Sequence, residues 1–115
     1  MTNYDNQGIL EALERDDPLE LQRLIVAISM DHPEVDFAVE MCLRLVNHRD
    51  EQVRANAILG FGHLSRRFGE LPQDTIKPLI EDGLRDDSDV VRGQAWAAAR
   101  DVMQFLGWKI AGYED

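Results

Sequence analysis

Cys42, His48 and His63 are the residues of this chain whose types best suit nucleophilic chemistry, because an imidazole can activate a thiol for attack. Cys42 and His48 are six positions apart, about 240° around a helix, so they do not share a face. His63 can meet either of them only through the fold. Cys42 stands between Met41 and Leu43 and reads as a small buried hydrophobe. Metal binding would fall to two runs of histidine and carboxylate, Asp31-His32-Pro33-Glu34-Val35-Asp36 and His48-Arg49-Asp50-Glu51. Neither has the fixed spacing of a zinc or calcium site. Both stand at helix starts, where acids cap orphan N–H groups. Gly60-Phe61-Gly62 lies within a helical pattern and is better suited to admitting a neighbouring helix than to cradling phosphate. Acids are so numerous that no pair of them singles out glycoside chemistry. The expectation is a protein without a catalytic group, a metal or a cofactor.

Composition narrows the classes further. The chain has 115 residues, 44% hydrophobic and 30% charged, which is globular composition for one domain, residues 1–115. At this length roughly 65% of the unfolded surface can be buried without staples. The net charge of −10 opposes general nucleic-acid binding, which needs cations to displace counterions from phosphates. It opposes docking on an anionic membrane equally. No apolar run approaches the ~18 residues of a spanning helix. Residues Met1 to Asp5 lack the build of a signal peptide, and the single cysteine cannot form an internal disulfide, so a cytoplasmic location is expected. The charge is polarised. Residues 1–40 carry ten acids against Arg15 and Arg23, a sum of −8, whereas residues 41–72 sum to +2. Any single acid fits a solvated helix face, but a sum of −8 in forty residues creates a field that a cationic partner would feel.

The elements that must position these residues are all helices. No stretch alternates like a strand, and no Asn-Gly or Asp-Gly pair marks a hairpin. Punctuation predicts a helix from about Gly8 to Arg15 and a second from Pro18 to near Met30. A third follows from about Glu34 to Val46, and a fourth from Glu51 to Phe68 ending at Gly69. A fifth spans about Asp74 to Leu84. The sixth starts after Ser88 and ends near Gly107, leaving an unassigned tail, residues 107–115.

The chain repeats itself. Asp50-Glu51-Gln52-Val53-Arg54-Ala55-Asn56-Ala57 lies over Ser88-Asp89-Val90-Val91-Arg92-Gly93-Gln94-Ala95 at an offset of 38 residues. Each copy follows an amphipathic helix and a short acidic link. In this the sequence resembles HEAT repeats, whose second helix opens with an Asp-rich turn followed by Val-Arg, two residues and Ala. The resemblance covers repeats at 34–68 and 74–106 and a weak copy at 8–30, where Leu21-Gln22 stands in place of Val-Arg. It implies an all-α, short right-handed α-solenoid of about three antiparallel helix pairs. Packing gives the motif its reason: Ala57 and Ala95 let helices approach, and Val53 and Val91 fill the seam. Arg54 and Arg92 are expected to bond the acidic links through Asp50, Asp87 or Asp89 as a structural ladder.

In stacked helix pairs the second helices usually line the concave face. Ile58 lies one step off the core stripe of the fourth helix, and Trp96 is its counterpart at the same offset. Trp96, beside Gln94 and Arg100, is a candidate contact anchor, with packing on Trp108 or Tyr113 of the tail as the alternative. Small acidic HEAT-like chains are similar as a class to bacterial immunity proteins, which bind a toxin in the producing cell. That likeness implies a non-enzymatic, protein-binding role toward a basic partner, notably a nuclease toxin. The expected contacts are Glu11, Glu14, Asp16, Asp17, Glu20, Ile58, Gln94 and Trp96, with no direct contact to nucleic acid or membrane. A HEAT-like scaffold or adaptor is the second reading, and an enzyme accessory such as a pigment-attaching lyase the third.

Overall fold

A computed structural model describes residues 4–113. Its helices are α1 (Asn6–Arg15), α2 (Pro18–Asp31), α3 (Val35–Leu45), α4 (Glu51–Phe68), α5 (Gln73–Gly83) and α6 (Asp89–Leu106). Among the described residues there is no strand. The helix starts follow from local chemistry. Asp5, Asp17, Asp50 and Ser88 are N-caps whose side chains accept the N–H of Gly8, Leu19, Val53 and Val91. The ends are equally local: Gly69 and Gly107 turn left-handed at φ 70° and 71°, where glycine carries no Cβ penalty. Asp16 takes the same conformation, φ 54°, as the C-cap of α1.

Helix α4 is the centre of the packing. It lies between α2 and α6 and also touches α3 and α5, while α1 touches only α2. Helices α3 and α5 do not touch each other. The apolar core runs through all these contacts, from Ile9 and Leu21 through Val53 and Phe61 to Val91 and Val102. The radius of gyration, 13.1 Å, is that of a tightly packed chain of this size. Because α4 has neighbours on several sides, Ala55, Ile58 and Ser65 are buried as well as the Val53–Ala57–Phe61–Leu64 stripe.

That burial corrects one expectation. Ile58 is only 2% exposed and presents no surface to a partner. Its Cδ1 would stand 2.9 Å from a Cβ on Gly83, so it fills the seam between α4 and α5. The glycine pair of α4 also serves packing. A Cβ on Gly60 would meet Cys42 Sγ at 2.8 Å, closer than side chains tolerate, and would press on Ser29 Cβ at 3.2 Å. The tail folds back on the helices: Trp108 and Ile110 join the core, and the Ala111 N–H donates to Glu81 at 2.8 Å.

Candidate partner-binding surfaces

Arg54 and Arg92 both bond the acidic links, Arg54 through Asp86, which was not among the expected acids, and Arg92 through Asp89, which was. Arg54 grips the Asp86 carboxylate with Nε and Nη2, at 3.3 and 3.1 Å, and its Nη1 donates to the carbonyls of His48 and Arg49 at 3.0 and 3.2 Å. It therefore ties the α3–α4 link to the α5–α6 link. Asp50 is instead the cap of α4 and an acceptor for Gln22, and exposed Asp87 pairs with neither arginine. Arg92 pairs with Asp89 and donates to the Asp86 carbonyl at 2.7 Å. Burial pushes the Asp86 carboxyl up, but the Ser88 N–H and the Arg54 guanidinium outweigh it and hold it below the usual carboxylate range.

The same bracing continues to the first link. His48 accepts the Asp50 N–H on Nδ1 at 3.0 Å, which leaves Nε2 to meet Asp16 Oδ1 at 2.5 Å. Arg49 bonds the other oxygen of Asp16. These hydrogen bonds, from His48 and then Arg49, hold Asp16 below its ordinary value. Glu20 is held down in the same way by Arg15 and Tyr4, both of which it binds across α1 and α2. Asp17 caps α2. Three of the five acids expected to meet a partner are thus engaged inside the fold, and only Glu11 and Glu14 stand exposed on α1.

The remaining candidates lie on α6. Gln94 is half-buried. Trp96 is 39% exposed, stacks on Tyr113 with ring centroids 5.2 Å apart, and has the Arg100 guanidinium 5.6 Å over its ring. The tail thus packs against it, as the alternative reading expected.

Two features escaped the sequence reading. Arg67 donates to the carbonyls of Ser29 and His32 at 3.0 and 2.7 Å, closing the C-terminal end of α2. A hollow of about 550 Å³ opens between the start of α3 and the α4–α5 link. Val35, Val39, Phe68, Leu71 and Pro72 line it together with the exposed residues Asp36 and Glu70. The available signal was Leu71-Pro72, an apolar pair placed in a link.

Cys42 is fully buried, and burial pushes its thiol up to about 12. Both ring nitrogens of His32 are hydrogen-bonded, Nε2 with Asn6 at 2.8 Å and Nδ1 by the Glu34 N–H at 3.0 Å. Among the described residues no group of three or more His, Cys, Asp or Glu could hold a metal ion. No helix among them is long and apolar enough to cross a membrane. No protein-family model, no curated protein and no solved structure matches the chain.

Proposed function

We propose that this chain is a non-enzymatic binding module, a short HEAT-like right-handed solenoid of three antiparallel helix pairs, which captures a basic protein. The repeat reading is supported by equivalence at the 38-residue offset. Val53 and Val91, and Ala57 and Ala95, are all fully buried. Asp50 and Ser88 cap their helices through the same N–H three residues on. His48 and Asp86 each accept the N–H two residues on.

The observation that carries the binding reading is the uncompensated acidity of the first third. Glu11, Glu14, Asp31 and Asp36 are exposed, and none makes an ion pair with a described residue. An acidic, braced surface attracts a cationic partner over long range and has little ordering to do on contact. A nuclease toxin is the cationic partner proposed, with this chain as its immunity protein in the cytoplasm.

Capture from the native host, with partners identified by mass, tests this directly. A cationic partner whose association slows as salt rises through the ~8–10 Å screening range supports it. Replacing Glu11 and Glu14 by Gln should slow association without changing the melting temperature. A nuclease that stays active in the complex removes the inhibitor role and leaves the scaffold reading. An association rate indifferent to salt removes the basic partner.

A further inference from the structure

We infer that the hollow between α3 and the α4–α5 link is the docking groove for that partner, and that it takes an apolar side chain flanked by lysine or arginine. The inference rests on the basic-partner reading and adds to it a place and a chemistry. The hollow is lined on one side by the start of α3 and on the other by the end of α4 and the link that follows it. Val39 and Leu71, 7% and 8% exposed, form its floor, and the half-buried Val35 and Phe68 rise beside them. At about 550 Å³ it has room for one large side chain together with the stems of its neighbours.

Charge complementarity selects the occupant. Asp36 and Glu70 stand at the edge, and neither forms an ion pair with a described residue. Glu34 continues the acidic edge at the start of α3, where a smaller hollow shares Val35 and Asp36, whereas Glu40 further along is already paired with Arg44 at 2.9 Å. Arg67, the neighbour of Phe68, has its hydrogen bonds committed elsewhere. Its guanidinium holds the carbonyls of Ser29 and His32 and covers the Phe68 ring at 4.6 Å. A lysine or arginine of the partner would therefore meet carboxylates that lack a counter-charge, beside apolar surface that excludes water around them. Glu11 and Glu14 on α1 supply field, but they do not border this hollow.

The test uses the full chain and three short synthetic peptides. One carries a leucine between paired lysines, the second has serine in place of that leucine, and the third has glutamates in place of the lysines. Methyl and amide NMR signals are followed through titrations with each. The expected result is shifts at Val35, Val39, Leu71, Asp36 and Glu70 with the lysine–leucine peptide, and weaker ones with the serine peptide. The double variant D36N/E70Q, at exposed positions, should keep its melting temperature and weaken binding about fivefold or more. V35S should weaken the lysine–leucine peptide more than the serine peptide. Lysine peptides that bind but shift residues elsewhere, or that bind D36N/E70Q unchanged, overturn the groove while sparing the basic-partner reading. Lysine peptides that bind no better than the glutamate peptide overturn that reading and the groove together. Shifts at the same methyls that depend on protein concentration without peptide would make the groove a contact between copies, and would overturn the inference.

Discussion

Arg54 and Asp86 join two links that are far apart in sequence: the guanidinium of α4 meets both carboxylate oxygens in the α5–α6 link, at 3.1 and 3.3 Å. Because Arg54 also bonds two carbonyls of its own link, its removal strands acceptors on both sides. Both side chains are about one-fifth exposed, enough burial to make that loss felt. R54A should therefore lower stability by about 1–3 kcal/mol in urea unfolding. R92A should cost less, since Asp89, its ion-pair partner, is 91% exposed. A cycle of R54A, D86A and the double variant measures the coupling, and strictly additive losses would sink the ladder.

Two glycines should respond oppositely to alanine. G60A forces a methyl to within 2.8 Å of Cys42 Sγ and should destabilise by about 1–3 kcal/mol through overpacking. A Cβ on Gly93 meets nothing within 4 Å, and the residue lies inside α6. G93A should therefore stabilise by about 0.5–1 kcal/mol, by helix propensity and a less free unfolded chain. Equal effects from the two would contradict the close approach of α4 to α2 and α3.

Acid should weaken the fold through Asp16, Glu20 and Asp86. All three have lowered pKa values when folded, so they bind protons more weakly in the folded than in the unfolded chain. Their contribution is present above the unfolded carboxylate values of about 3.9–4.3 and is lost as pH falls through the lower folded ones. Thermal melts should decline gently below about pH 6.5, where burial keeps His63 from taking up a proton as readily as in the unfolded chain, and then fall steeply below about pH 4. D86N should make that acid slope shallower, and a slope unchanged in D86N would remove Asp86 from the account.

Cys42 should be silent toward thiol reagents in the native protein. It is fully buried with its thiol pushed up to about 12, so little thiolate forms at neutral pH. Labelling by a disulfide reagent should follow the rate of unfolding in urea. Fast labelling without denaturant would require an opening at the α3–α4 contact.

What the sequence determined by itself is what neighbours along the chain decide. The expected fourth helix, Glu51–Phe68, is α4 to the residue, because Asp50 caps one end and Gly69 turns the other. The other bounds shift by a residue or two, as frayed ends do. Asn6 opens α1 because Asp5 caps it, a signal three residues ahead of Gly8. Tertiary structure decided everything that depends on the number of neighbours. A periodic stripe marks one buried face, but α5 packs on α4 beside that stripe, so Ile58 is buried too, against Gly83. The acids show the same limit: Glu11 and Asp16 look alike in sequence, yet only Asp16 meets the His48 and Arg49 of a distant link. The hollow over Leu71 belongs to the same class, since its two sides come from α3 and from the distant α4–α5 link, and no local pattern brings those together.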